Sequence, residues 1–342
     1  MNNTPSMGDL FGGETAGGWL NMPRGDINAP QGVDIAVLGI GSATPYPVGS
    51  YCHDAPDAIR AARSWPTILE QHDFDLFGVD PSDGVLPDGV IAADFGNLDT
   101  VADAAPEVTA SNRAMIRGAV TGLLDAGSVP FVLGGDDSVP IPVLESYCGF
   151  DGGPISILQI DAHIDWRDDV GGETQGLSSN MRRASEMARV GNIVQLGARG
   201  IGSARKGEVQ AALDYGVAFH TMRNLIEPDG IARAVAELPE GVPVYIALDV
   251  DSMDPVVMPA VIGAAQGGLS YWQMMQIFEA IAARAPICGF NMVELMPARD
   301  VNGQGALMAS RLGLSMLGMI ARQRAAAKKR RRDRRTWHPN SP

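Results

Sequence analysis

Residues 155–166 read ISILQIDAHIDW. The first half is a short, nearly unbroken apolar run, and the second half sets two aspartates and a histidine within five residues. A strand that is apolar on both faces belongs inside a parallel sheet covered by helices on both sides, so this run predicts a central strand of an α/β fold. In an extended segment, residues i, i+2 and i+4 share one face, which brings Asp161, His163 and Asp165 together just past the strand.

The same signature recurs along the chain. Residues 33–41 (VDIAVLGIG), 89–98 (GVIAADFGNL), 129–135 (VPFVLGG), 192–199 (NIVQLGAR), 242–251 (VPVYIALDVD) and 287–295 (ICGFNMVEL) are apolar β runs separated by helical stretches. Residues 54–65 begin a helix with Asp54 or Asp57 suited to its first turn, and residues 111–127 form an amphipathic helix with Gly127 at the expected C-cap. Strands alternating with helices predict a doubly wound, mainly parallel sheet with helices on both faces. No internal repeat or linker divides the chain. One domain is expected over residues 33–322, preceded by an irregular Gly/Asn/Pro-rich arm at 1–32, with Trp19, Leu20 and Met22 as its anchors, and followed by a basic tail at 323–342.

Composition narrows the function class. The 342 residues carry a net charge of −14, so no electrostatic pull toward nucleic acid or an anionic membrane is expected. Residues 328–335 (KKRRRDRR) hold seven positive charges and one negative, and the rest of the chain is more acidic still. That tail reads as a solvated extension, or as an arm for the acidic surface of a neighbouring subunit. Three scattered cysteines give no disulfide framework or zinc pattern and fit reduced thiols in a cytoplasmic protein. No signal peptide and no run long enough for a membrane span is visible.

The polar motifs lie at the C-terminal ends of the β runs, where open parallel sheets bind ligands. There, DAHID is joined by Gly134 to Ser138 (GGDDS), by Asp249, Asp251 and Asp254 in DVDSMD, and by Glu294 in VEL. So many carboxylates beside buried strands are costly unless a cation holds them. An oxygen-rich set with one imidazole suits Mn²⁺, with Ni²⁺ or Fe²⁺ as alternatives, and two such ions can activate a water at neutral pH.

These motifs, in this order over residues 30–320, resemble the ureohydrolases of the arginase/agmatinase family. VLGGDDSVPIPVL, LQIDAHIDWRDD and YIALDVDSMDP are similar to its three metal motifs, and FNMVELMPARD to its guanidinium-binding segment. The resemblance implies a three-layer α/β/α fold, a binuclear Mn or Ni centre, assembly into trimers or hexamers, and hydrolysis of a guanidino group to urea and an amine. It places Asp137, Asp161, His163, Asp165, Asp249 and Asp251 at the six metal-ligand positions and Glu294 against the guanidinium. Glu294 and Asp165 are then the candidate catalytic groups, with Glu294, His53 and Asp254 as candidate substrate contacts.

The departures are at chemical positions. Asp137 stands where the family carries histidine, and Leu177 where it carries a proton-transfer or substrate-contacting histidine before an RRA-like segment. Residues 258–264 (MPAVIGA) replace a PGTG-like stretch, and residues 50–60 (SYCHDAPDAIR) lose the usual Arg/Pro/Gly character and gain His53. His72, His220 and His338 have no motif context. Hetero-oligomeric ureohydrolases of the bacterial metformin-hydrolase type pair an intact subunit with an altered one, and this chain resembles the altered kind. The expectation is a degenerate subunit of a guanidine or biguanide hydrolase, partnered by an active paralogue in a hetero-hexamer or trimer. A self-sufficient Mn/Ni hydrolase with Asp137 as ligand, or a non-catalytic binding protein, are the alternatives.

Overall fold

In a computed structural model, residues 17–62 and 84–336 are described. Eight strands form one sheet: β1 (Ile35–Ile40), β2 (Ala92–Asn97), β3 (Val129–Gly134), β4 (Ile155–Ile160), β5 (Val190–Leu196), β6 (Ala218–His220), β7 (Val244–Asp249) and β8 (Ile287–Val293). Their order is β2-β1-β3-β8-β7-β4-β5-β6, and every pairing is parallel. The seven apolar runs each became a strand. The eighth, β6, has only three residues, half-buried at the sheet edge, too short for periodicity to mark.

Alternate residues of each strand face opposite layers. On one side Ile35, Val37, Phe131, Leu158 and Ile246 pack beneath α1 (Ala55–Ala61), α6 (Met222–Leu225), α7 (Gly230–Ala236), α8 (Tyr271–Arg284) and α9 (Gln304–Thr336). On the other, Ala36, Leu38, Val132, Ile157 and Tyr245 pack beneath α2 (Pro106–Asp125), α3 (Pro140–Glu145), α4 (Asn180–Ser185) and α5 (Lys206–Tyr215). The expected three-layer α/β/α architecture is the one observed. Helix α2 begins five residues earlier than its apolar pattern, because Pro106 supplies a preset first turn. Its end is as expected: Gly127 takes φ +81° and closes on Leu124.

The arm is tied into the domain from residue 17 onward; its first sixteen residues lie outside the described residues. Trp19, Leu20 and Met22 are buried. The Trp19 ring lies 5.9 Å from Phe131, its indole N–H donates to Ser310 (3.2 Å), and its backbone N–H donates to Asp94 (2.6 Å). Asp94 also takes a fork of two 2.9 Å bonds from Arg60, which hold its carboxyl below the usual range although burial opposes them.

No break occurs at residue 322. Helix α9 continues through it because Gln323 bonds Ile287, Ala282 and Ala285, Arg324 reaches the Gly127 carbonyl (2.6 Å), and Lys328 pairs with buried Asp34 (2.5 Å). The basic segment thus starts as a docked helix rather than a free extension. Among the described residues no helix is long and apolar enough to cross a membrane.

Trp19→Ala removes a fully buried indole that joins arm, sheet and α9, so it should cost about 3–5 kcal/mol. The check is the denaturant midpoint, beside a Val256→Ala control at an 85% exposed position, for which a change within about 0.5 kcal/mol is expected.

Candidate metal centre

Four adjacent strands, β3-β8-β7-β4, end on one edge of the sheet and deliver the polar motifs to one place. Asp137 follows β3, Asp161 to Asp165 follow β4, Asp249 ends β7 with Asp251 beyond it, and Glu294 follows β8. The strand ends are drawn together at glycine. A Cβ on Gly135 would sit 1.9 Å from the Gly41 carbonyl oxygen, so only glycine lets the turn after β3 close on the turn after β1. Two chemical residues carry the backbone cost: Asp165 sits at φ +50° and Glu294 at φ +68°, both left-handed and roughly 1–3 kcal/mol each.

The acidic groups form two overlapping sets. Donor atoms of Asp161, His163 and Asp251 lie within 4.8 Å of one another, and so do those of Asp137, Asp161 and Asp249. Asp161 belongs to both sets, so these five residues would hold a pair of ions between them. Asp165 adjoins Asp137 and Asp161. A neutral network orients the carboxylates. Trp166 donates to Gln195 (2.8 Å), Gln195 donates to Gln159, and the Gln159 amide donates to both Asp161 (2.7 Å) and Asp165 (2.9 Å). Backbone N–H groups add to it, with His163 to Asp161 at 2.6 Å and Asp251 to Asp249 at 2.7 Å.

Charge is poorly balanced by protein groups alone. Burial pushes the carboxyls of Asp137, Asp165, Asp249 and Asp251 up, and their neighbours' negative charges push further. Asp161 is held low, because the hydrogen bonds and charge of His163 outweigh its burial. His163 is pushed up to about 11 by Asp161 and Asp251, against the effect of burial, and contacts Asp251 at 3.0 Å. Oxygen donors around one imidazole, repelling one another in a buried site, fit a pair of manganese-type divalent ions.

Asp137 is handled differently from the rest. Its backbone N–H donates to Glu294 (2.9 Å), while its carboxylate and its carbonyl both accept from the Asn180 amide. Glu294 also accepts the Tyr51 hydroxyl, at 3.0 and 2.9 Å from its two oxygens, and burial and Asp136 push its carboxyl up to about 8.

A cavity of about 120 Å³ opens over the centre, with Asp137, His163, Asp165, Asp249, Asp251 and Glu294 at its base and Tyr51, Trp166, Leu177 and Ile262 among its walls. Leu177 therefore stands at the site, where the family resemblance put it. The 258–264 loop comes close as well: a Cβ on Gly263 would meet Asp251 and His163 at 2.8 Å.

Two expected contacts are not at the cavity. Asp254 accepts backbone N–H bonds from Val256, Gly267 and Gly268, so its carboxylate braces its own loop. The His53 ring lies against Gly41, and a Cβ there would meet its Nδ1 at 2.7 Å. Of the other histidines, His220 ends the edge strand β6, and His72 and His338 lie outside the described residues. Sequence reading missed Tyr51, Asn180, Gln159 and Gln195. Only the glutamines left a signal, as polar residues near the C-terminal ends of two mainly apolar strands, where they pair in register.

The sequence profile of the arginase family matches residues 33–318. The chain is 36% identical over 185 residues to the mitochondrial arginase of Medicago truncatula, a stretch covering 54% of this chain and 53% of that protein. The chain thus spans about half the length of the plant arginases it matches. It is 27% identical over 300 residues to the human mitochondrial guanidino acid hydrolase, covering 84% of this chain and 79% of that one. In structure it resembles the proclavaminate amidino hydrolase of Streptomyces clavuligerus with a TM-score of 0.74, over 90% of this chain and 98% of that one at 22% identity, a likeness of fold.

Carboxyls that are raised by burial and mutual repulsion must lose protons before a cation can enter. Manganese affinity should therefore climb as pH rises above the ordinary carboxylate range, with proton release per ion bound. Calorimetric titration with Mn²⁺ in buffers of different ionisation enthalpy checks both; a flat profile would mean that these carboxylates are not the ligands.

Proposed function

This chain belongs to the arginase family, and we propose that it serves as a subunit of a metal-dependent hydrolase acting on a guanidine- or biguanide-type compound such as metformin, with an active paralogous subunit as partner. Family members are hydrolases that cleave amidine or guanidino C–N bonds with a binuclear manganese centre. Asp137, Asp161, His163, Asp165, Asp249 and Asp251 are the residues that would hold the ions, manganese or nickel. When bound, those ions supply Lewis-acid activation of the attacking water. Glu294 binds the planar cation of the substrate through its carboxylate, and Asp165 is the carboxylate placed to take up a proton at the base of the cavity. The products are urea or guanylurea and an amine.

The altered state of the Asp137 corner carries the assignment as a degenerate partner. A carboxylate replaces the neutral imidazole of the family's sixth ligand, and it is already engaged by the Asn180 amide. An added negative ligand raises the pKa of a bound water and weakens its ionisation at neutral pH. Leu177, beside it in the cavity wall, offers no proton-transfer group, a loss of about 10²–10⁴-fold in rate by usual magnitudes. Together these favour a chain that keeps the scaffold and pocket while its partner turns substrate over, in a hetero-trimer or hetero-hexamer.

One observation favours a second reading. The Asp137 carboxylate still lies within 4.8 Å of the donor atoms of Asp161 and Asp249, so the donor geometry for a second ion persists. In that reading the chain is a self-sufficient Mn or Ni hydrolase with Asp137 as a ligand.

Expression of the chain alone separates the two. The degenerate-partner reading expects less than about half an equivalent of Mn or Ni per chain and no urea from guanidines or biguanides, with activity on co-expression with a paralogue bearing histidine at the Asp137 position. Full metal loading and urea release by the isolated chain would overturn it. The double substitution Asp137→His with Leu177→His should raise metal loading; unchanged loading would clear Asp137 of blame.

A further inference from the structure

We propose that Tyr51 is an internal competitor for the Glu294 carboxylate, a gate whose hydroxyl must leave before a guanidinium-type cation can bind. The inference rests on Glu294 as the cation-binding group of the proposed function and adds what controls access to it.

The geometry is that of a surrogate ligand. The Tyr51 hydroxyl lies 3.0 Å from one Glu294 oxygen and 2.9 Å from the other, so one donor spans the edge that a planar amidinium would grip with two N–H groups. The third contact to this carboxylate, from the Asp137 backbone N–H, engages one oxygen and leaves the other to Tyr51 alone. Tyr51 and Glu294 both line the cavity, so the hydroxyl occupies the carboxylate at the space a substrate enters. Its ring packs against the hydrophobic layer that contains Cys52 and Ala55, both fully buried.

The surrounding segment fits a gate. Tyr51 belongs to the 50–60 stretch, and Tyr46 just before it contacts the strip that carries Leu177: the Ser178 N–H donates to the Tyr46 hydroxyl at 3.4 Å, and a Cβ on Gly176 would meet the Tyr46 ring at 2.1 Å. Tyr51 and Leu177 both line the cavity, and a shift of the tyrosine loop would be felt by the Leu177 strip through Tyr46.

A hydrogen bond of ordinary net strength costs a competing ligand up to about tenfold in affinity to displace. Tyr51→Phe keeps the ring and deletes the hydroxyl. Calorimetric titration of the Mn²⁺-supplemented chain with guanidinium chloride, at millimolar and non-denaturing levels, should show binding up to about tenfold tighter in Tyr51→Phe than in the wild type. Glu294→Gln should abolish binding in either background. Weaker, equal or undetectable binding in Tyr51→Phe overturns the gate. A Tyr51→Leu variant repeats the test without the ring, and equal thermal midpoints exclude a folding defect. If Glu294→Gln leaves guanidinium binding intact, the role given to Glu294 falls as well, whereas failure of Tyr51→Phe alone leaves the proposed function standing.

Discussion

Like charges held together in a dry place set the terms for this molecule. Asp137, Asp161, Asp249, Asp251 and Glu294 are all buried at one edge of one sheet, with half-buried Asp165 and the His163 imidazole among them. Two carboxylates at contact distance in a low-dielectric site cannot both stay ionised without help. The help comes in three forms: backbone N–H groups, the Gln159 amide, and the room for divalent ions. Proton uptake is the fallback when no ion is present, and it explains why most of these carboxyls are displaced upward while Asp161, hydrogen-bonded by His163, is displaced downward.

Topology makes this concentration possible. In a parallel sheet all strands point the same way, so residues just past consecutive edges converge without long loops. The order β3-β8-β7-β4 brings together segments more than 150 residues apart, and the Asp137 N–H to Glu294 bond spans 157 positions of sequence. The left-handed backbone at Asp165 and Glu294 marks where regular strand geometry would aim a side chain away from the centre. Both layers of helices hold that strained edge in place, which is why an anchor as distant as Trp19 belongs to the same system.

Much of this was legible in sequence. Continuous apolar runs revealed the parallel sheet because burial on both faces leaves no room for polar alternation, and DxHxD marked donors that do meet, although the segment bends and Asp165 is left-handed rather than extended. Trp19, Leu20 and Met22 could be singled out as anchors since large apolar side chains in a polar arm have few other uses. What stayed hidden depends on contacts distant in sequence. Tyr51 meets Glu294 across 243 positions, and Asn180 meets Asp137 across 43. Asp254 looked like a member of the acidic cluster because the DxDxxD spacing is regular, yet the chain turns after Asp251 and leaves its carboxylate to satisfy three loop N–H groups instead. The C-terminal helix crossed the expected boundary at 322 for a similar reason: Gln323, Arg324 and Lys328 find partners on α8, the α2 turn and Asp34 that no local pattern announces.

The Asp137 corner shows how neutral donors meet a buried carboxylate. Imidazole at that position would be a neutral ligand, whereas a carboxylate adds charge and two acceptor oxygens to a site already rich in both. Asn180 answers the acceptor problem, since its amide satisfies one Asp137 oxygen and the Asp137 carbonyl together. It does nothing for the charge, because an amide is neutral. Tyr51 has the same character at Glu294: it supplies a donor and no charge. Hydrogen-bond satisfaction without charge compensation suits a pocket that must stay folded when no ion or substrate is bound. The negative charge at Asp137 and Glu294 is thus left for a cation to balance.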